Sequence, residues 1–372
     1  IIQNLLTNLV SMADNIMVGQ LGTNQMSGVA IINQLFFVFN LLVFGGMSGA
    51  GLFSAQYFGQ KNHNGVRDVF RMKILIGITI IAISISVMIF LHEPLINMFL
   101  HEGSSSGNIQ ETFNYAKNYL YIMVIGIAPF VISNCYNTTL KESGQTVVPM
   151  KAGVLAVVFD VVLNYIFIFG KLGFPAMGVV GAAIATVISR FVECGYLVIY
   201  THIHSNDYPF IKHCYRTLKV PGSLVKKIIV TGAPLMLNEF LWAGGLTLQT
   251  QALSTKGLAT VGGLNICNTI GNISNCIFVT MGTTIAIVVG QLLGAGKLKE
   301  AKVTATRMAA FSLLISFGMI IILGLLGPVF PHFYNTTDEI RELATKFIWA
   351  VAAATPFISL SNSEYFILRS GG

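Results

Sequence analysis

The sequence predicts an all-α integral membrane protein: two pseudo-symmetric six-helix lobes in parallel repeat, with about ten of twelve transmembrane helices present. Three observations predict it. Apolar residues make up 54% of the chain and charged residues 10%, against about 45–50% and 25% in soluble domains, and the mean hydropathy is +0.72. The apolar residues gather in separate blocks of spanning length, and the second half of the chain repeats the first. A chain this poor in charge cannot cover a water-facing surface. That excludes a soluble enzyme, a nucleic-acid-binding module and a disordered tail.

A spanning helix takes about 20 mainly apolar residues. Residues 15–60 contain no Asp, Glu, Lys or Arg, too long a run for one span. The stretch Gln20-Leu21-Gly22-Thr23-Asn24-Gln25 divides it into the end of span 1 and the whole of span 2. Spans 3 to 10 follow at residues 74–91, 118–140, 152–170, 172–201, 228–255, 257–295, 308–326 and 347–368. The chain opens on Ile1 and stops at Gly372 just after a span, the expectation for a fragment cut at both ends. The resulting division is an N-lobe at 1–204 (spans 1–6, the first truncated), a cytoplasmic linker at 205–227, and a C-lobe at 228–372 (spans 7–10, two more missing).

Charge placement orients the spans, because Lys and Arg of short loops collect on the cytoplasmic side. The loop after span 2 carries Lys61, Arg67, Arg71 and Lys73. The loop after span 6 carries Lys212, Arg216, Lys219, Lys226 and Lys227, and that after span 8 has Lys297, Lys299, Lys302 and Arg307. Connections on the other side hold Glu93, Glu102, Glu111, Asp338, Glu339 and Glu342. The N-terminus and even-numbered loops are thus expected inside, with the chain multi-pass in the inner (plasma) membrane. The net charge of +7 reports this topology, and nucleic acid is not an expected partner. Cys135, Cys194, Cys267 and Cys276 sit in apolar blocks and Cys214 in a basic loop, so free thiols are expected.

A shift of 235 overlays the halves. Gly22, Gly28 and Asn33 meet Gly257, Gly263 and Asn268, and Gln56-x-x-Gly59 meets Gln291-x-x-Gly294, each before a basic loop. With small gaps Pro94 pairs with Pro328, Phe99 with Phe333, Pro129-Phe130 with Pro356-Phe357, and Ser143-Gly144 with Ser370-Gly371. Six spans per repeat is an even number, so both copies share one orientation about an axis along the membrane normal. Gly45-x-x-x-Gly49 and Gly290-x-x-x-Gly294 suit close helix approach.

A charge at a span centre costs roughly 2.5–3.5 kcal/mol, so each one needs a reason. Asp160 and Asn164 of span 5 lie four apart, on one face, where they can hold a proton or Na⁺; Asp14 of span 1 can converge with them. Glu239 of span 7, in Asn238-Glu239-Phe240-x-Trp242, sets a carboxylate beside aromatics and suits an organic cation or Na⁺. Arg190 and Glu193, three apart in span 6, are expected to pair. Glu364 lies about one turn from an interfacial Arg369. Thr186 joins the ion-coupling candidates, and Asn33, Gln34 and Asn268 the substrate-binding ones. Enzyme motifs fail: His92-Glu93 and His101-Glu102 lack the second His of a zinc HExxH, with Ile96 and Ser105 in its place, and Gly296-Lys297 lacks the first Gly of a P-loop. His202-x-His204 alone is a weak metal pair. The only cofactor expected is the coupling ion, H⁺ or Na⁺.

The run Ala13-Asp14-Asn15-Ile16-Met17-Val18-Gly19-x-Leu21-Gly22 and the Gln56-x-x-Gly59 helix end closely resemble the multidrug and toxic compound extrusion (MATE) transporters. Leu163-Asn164-Tyr165-Ile166-Phe167-Ile168-Phe169-Gly170 and Gly178-x-x-Gly181-Ala182-Ala183-x-Ala185-Thr186 look like the family's fifth- and sixth-helix signatures. The resemblance spans the chain. It implies a twelve-helix, two-lobe exporter, working as a monomer, that exchanges organic cations and other amphiphiles for H⁺ or Na⁺. The family's first-helix Asp maps to Asp14 and the seventh-helix Glu of NorM-like members to Glu239. In two places the chain departs: the Asn-then-Asp order of DinF-like members is reversed at Asp160 and Asn164, and Ile358 stands where NorM-like members carry a tenth-helix acid. A related family of flippases for lipid-linked oligosaccharides is the alternative, and would call for a basic cavity where the in-membrane residues here are mostly acidic.

Overall fold

A computed structural model describes residue 14 and residues 17–99, 109–254, 258–334 and 336–371. The regular elements among them are all helical. Lipid offers the backbone no hydrogen-bond partner, so an apolar run satisfies its N–H and C=O groups within its own helix. After a helical stretch ending at Gly19 come α1 (Thr23–Gly59), α2 (His63–Phe90), α3 (His92–Asn97), α4 (Ile109–Ile125), α5 (Ile127–Glu142), α6 (Val147–Phe169) and α7 (Val179–Ile203). A 3₁₀ turn at Cys214–Arg216 leads to α8 (Gly222–Ser254), α9 (Leu258–Gly294), α10 (Leu298–Leu326), a second turn at Phe330–Phe333, and α11 (Asp338–Gly371).

Among the described residues, seven helices are long and apolar enough to cross a membrane, and the α4–α5 pair, bent by 45°, makes an eighth. Span 7 forms as α8, with 33 residues and an internal Pro234, but Asn238, Glu239, Gln249 and Gln251 leave it less apolar than the others. Most of span 1 lies outside the described residues. The α4–α5 bend has a local cause. Pro129 has no N–H for the carbonyl of Ile125, and Gly126 adds no side chain to hold the turn. In the second half α11 carries Pro356, with Ala353 where the repeat places Gly126, and it stays one helix.

The repeat is visible in the packing. A Cβ on Gly28 would lie 3.0 Å from the backbone of Ala116, and one on Gly263 3.1 Å from that of Ala344. The same crossing, α1 on α4 and α9 on α11, is thus built twice by matched glycines. Across the seam the contacts are reciprocal. A Cβ on Gly59 would meet the Gln291 carbonyl oxygen at 1.9 Å, and one on Gly294 the Gln56 carbonyl oxygen at 2.0 Å. The two glutamine side chains also reach across: Gln56 Nε2 donates to the Ser370 carbonyl at 3.1 Å and Gln291 Nε2 to that of Glu142 at 2.7 Å. The halves therefore meet tightly at the end where the Lys61 and Lys297 loops sit. Each half keeps its own core, one running from Val18 to Cys214 and one around Cys267, Phe278, Leu323 and Ile348.

The structure moves several of the expected loop bases into helices: Arg67 and Arg71 into the start of α2, Lys226 and Lys227 into α8, and Lys299, Lys302 and Arg307 into α10. Lys73 belongs to α2, not to a loop, and is wholly buried. Its ammonium donates to Glu142 Oε2 at 2.6 Å, Thr138 Oγ1 at 3.0 Å and Thr139 Oγ1 at 3.2 Å. All three donor hydrogens are used, as a buried ammonium requires. Removing one partner strands a charge at a cost of about 3–5 kcal/mol. Lys73→Met is therefore expected to lower the unfolding midpoint sharply, and Lys73→Met with Glu142→Gln to recover most of the loss; thermal denaturation of the purified variants checks this.

The linker between α7 and α8 docks on the end of α2. Arg71 donates to the carbonyls of Cys214 and His213 at 2.9 and 3.0 Å, and Arg67 to that of Pro209 at 3.3 Å. Cys214 is buried beneath them, and all five cysteines are free. Burial pushes the Cys214 thiol up to about 11, against the partial relief of Arg71 and Arg67. At pH 8 only about 0.1% is thiolate, against roughly a quarter of an exposed cysteine. A protein keeping Cys214 alone should therefore react with maleimide at least about 100-fold more slowly than one carrying Lys219→Cys instead, with the rate rising about tenfold per pH unit toward 11.

Candidate functional site

Between the halves lies a cavity of about 690 Å³ lined from α1, α5, α6, α7, α9 and α11, with Asp14 on its wall. Repeat-related residues face each other across it: Phe44 and Val279, Ser48 and Thr283, Gly51 and Ala286, Leu52 and Ile287 are all lining residues at the 235 offset. The cavity thus sits on the pseudo-axis. Asn33 and Asn268 continue these helix faces away from the Gly59–Gln291 crossing. They and Gln34 are exposed and lie outside the lining.

Asp14, Asp160 and Asn164 do converge. Small residues on α7 bring it onto α6, where a Cβ on Gly181 would come within 2.7 Å of the Phe167 backbone. That closeness seats Asp160 of α6 against α7, with the single Ser189 hydroxyl hydrogen in reach of Asp160 Oδ1 at 3.2 Å and of the Thr186 carbonyl at 2.8 Å. Thr186 itself lines the cavity. One turn on, Asn164 Nδ2 donates to Asp14 Oδ1 at 2.7 Å. Asp14 and Asp160 both line the cavity beside these contacts. Asp160 and Asn164 are 7% and 1% exposed, and Asn164 Oδ1 is buried with no partner. The arrangement can hold a proton between two carboxyls and still offers a spare oxygen.

Glu239 is differently placed. Tyr365 OH donates to its Oε1 at 3.3 Å, and Arg369 Nη1 pairs with the same oxygen at 3.6 Å. Asn238 Nδ2 donates to Tyr365 OH at 3.3 Å. Trp242 is exposed and outside the cavity lining. Arg369 was expected at the interface, yet its side chain is 7% exposed and it lines the cavity; Glu364 beside it on α11 is exposed.

The expected Arg190–Glu193 pair is not formed. Arg190 leans instead on the α4–α5 bend, its guanidinium 4.9 Å from the Phe130 ring centre and 5.5 Å from that of Phe36, and it donates to the Gly126 carbonyl at 3.5 Å. The bend frees backbone carbonyls, and a guanidinium is the side chain suited to cap them. His202 and His204 form no metal pair: their Nδ1 atoms face the carbonyls of Val198 and Tyr200, and their rings stack on Tyr215 and Tyr200.

Sequence reasoning missed the α5 contribution. Asn134, Asn137, Thr138 and Lys141 line the cavity at helical spacing, a polar stripe along an apolar span that could have marked the wall. It also expected a mostly acidic set. The lining holds Asp14, Glu142, Asp160 and Glu193 together with Lys141, Arg190 and Arg369, which is a mixed one.

Comparison with known proteins agrees with the fold. The MatE family model matches residues 1–166 and 234–372. The "Probable multidrug resistance protein NorM" of Thermotoga maritima is 26% identical over 370 residues, covering 100% of this chain and 77% of that protein. A protein of the same description from Oceanobacillus iheyensis is 27% identical over 349 residues, covering 92% and 74%. A crystal structure of a mutant of the Vibrio cholerae MATE transporter VcmN superposes with a TM-score of 0.87 at 16% identity, covering 99% of this chain and 81% of that one. An outward-facing multidrug resistance MATE transporter superposes at 0.80 with 20% identity, covering 98% and 81%. With more than half its length matched by the family model and its two repeats wrapped around one cavity, the chain belongs to the MATE family of multi-pass membrane multidrug transporters, not to an enzyme family.

Proposed function

We propose that the protein exports organic cations and other amphiphiles from the cytoplasm across the plasma membrane, as a monomer, in exchange for H⁺ taken up at Asp14 and Asp160. The observation that carries this reading is the convergence of those two carboxyls on the wall of the shared cavity, with Asn164 Nδ2 2.7 Å from Asp14 Oδ1 and Ser189 Oγ 3.2 Å from Asp160 Oδ1. The volume, about 690 Å³, lies in the range of drug-sized sites. Apolar side chains such as Val43, Met47, Leu52 and Ile287 line it beside the carboxylates, the mixed surface an amphiphilic cation needs. With the basic loops cytoplasmic, the Gly59–Gln291 seam closes the cytoplasmic end and the molecule faces outward.

In this cycle the outward-facing protein binds H⁺, the neutralised carboxyls release the drug, and the proton-loaded form turns inward. There the arriving cation displaces the proton. Exchange of one H⁺ for one monovalent cation moves no net charge, so the pH difference drives it, and each pH unit supplies about 1.4 kcal/mol, enough for roughly a tenfold gradient. A second reading, Na⁺ in place of H⁺, rests on the orphan Asn164 Oδ1, an oxygen ligand ready for a hard cation. The flippase alternative needs a basic cavity for a pyrophosphate, whereas Lys141, Arg190 and Arg369 share the lining with Asp14, Glu142, Asp160 and Glu193.

Proteoliposomes loaded under imposed gradients test the reading with a fluorescent organic cation. Transport driven by a pH gradient supports it, transport driven only by Na⁺ supports the second ion, and no movement under either gradient overturns the exporter reading.

A further inference from the structure

The second half holds a cation site that is already filled. Arg369 projects from α11 into a box of three rings, its guanidinium carbon 5.7 Å from the Phe44 centre, 5.7 Å from Tyr365 and 5.4 Å from Phe366. All three lie within about 6 Å, the reach of a cation–π contact. The fourth wall is Glu239, whose Oε1 lies 3.6 Å from Arg369 Nη1. Tyr365 OH ties the box together: it accepts from Arg369 Nη1 and from Asn238 Nδ2, each at 3.3 Å, and donates to Glu239 at 3.3 Å. The guanidinium and carboxylate are largely withdrawn from solvent, with side-chain exposures of 7% for Arg369 and 15% for Glu239; Phe366 is buried, Tyr365 half-buried and Phe44 on the open side, 38% exposed. Phe44 comes from α1 of the first half, so the box also bridges the seam. The position itself is distinctive, because the repeat offset of 227 pairs Arg369 with Glu142, a base against an acid at equivalent points of one cavity.

We propose that Glu239 with the rings of Phe44, Tyr365 and Phe366 is a cage for a planar organic cation of the guanidinium class, and that the chain occupies it with its own Arg369. The tethered guanidinium bars Na⁺ and substrate cations from Glu239 and leaves the Asp14–Asp160 pair as the exchanging site. Arg369 is thus a specificity-determining residue. This transport consequence rests on the export reading above, whereas the binding claim stands apart from it.

Methylguanidinium chloride is titrated at millimolar levels, with chloride held constant, into the purified full chain. The proteins compared are the wild type, Arg369→Ala, and Arg369→Ala with Glu239→Gln, and the readout is the thermal unfolding midpoint. Emptying the cage lets the free cation in, so the Arg369→Ala midpoint should rise saturably by about 2 °C or more. The wild type and the double variant should not respond. Na⁺ should act at least about tenfold more weakly, because a compact ion lacks the planar face. No saturable rise in Arg369→Ala, an equal rise in the double variant, or equal potency of Na⁺ overturns the proposal. If Arg369→Ala yields no folded protein, Arg369→Ser carries the same titration. Wild-type dye export measured in parallel separates the two readings: its absence would overturn export and leave the cage standing.

Discussion

Replacing Asp14 or Asp160 with Asn is expected to lower pH-driven export at least about tenfold while leaving folded protein in the membrane. Asn nearly matches Asp in shape and can keep the short contact between residue 14 and Asn164 Nδ2. It carries no charge at any pH, so it imitates the proton-loaded state permanently. A transporter fixed in that state still turns but has no proton to exchange. Stability should hold or rise, because burying an ionised carboxyl costs more than burying an amide. Dye efflux from proteoliposomes, paired with thermal unfolding of the same preparations, checks both halves of the prediction. A variant that exports at the wild-type rate would remove its carboxyl from the mechanism.

Gly59→Ala and Gly294→Ala should each bring turnover close to zero, through geometry alone. The added methyl carbon would lie 1.9 Å from the Gln291 carbonyl oxygen in one case and 2.0 Å from that of Gln56 in the other. Both obstacles are backbone atoms in the last turns of long helices, and they cannot turn aside as a side chain does. The seam at the end of the Lys61 and Lys297 loops must therefore part, which in the proposed orientation favours the inward-open arrangement. A cysteine placed at Leu52 on the cavity wall should react faster with an impermeant maleimide added on the cytoplasmic side in these variants. Gly318→Ala is the control: nothing lies within 4 Å of that Cβ, and the exchange favours the helix by about 1 kcal/mol.

Much of this architecture is legible in the residues because the relevant signals are periodic or repeated. Apolar runs mark α1, α2, α6, α7, α9, α10 and α11, since lipid imposes one constraint along the whole of each. Matched glycines mark crossings that occur twice, and Gln56-x-x-Gly59 with Gln291-x-x-Gly294 turned out to be each other's partners. Asp160 and Asn164 could be placed together because four residues return a helix to the same face. Partnerships between distant helices carry no such signal. Lys73 reads as a loop base until Glu142, 69 residues away, is seen to neutralise it. Glu239 reads as an open receptor until Arg369 is seen beside it, and Arg190 reads as the partner of Glu193 until the bend at Gly126 offers it carbonyls and rings. Each of these depends on how helices rotate about their own axes, which packing decides and hydropathy does not record.

Proton release on substrate binding tests the central claim most directly. An organic cation is added to the purified protein in weak buffer, and the pH change is read with an indicator dye. If the cation displaces a proton shared by Asp14 and Asp160, the wild type should acidify the medium saturably, and the variant with Asn at both positions should not. Equal release from both proteins, or saturable binding to the wild type with no proton released, would contradict the account.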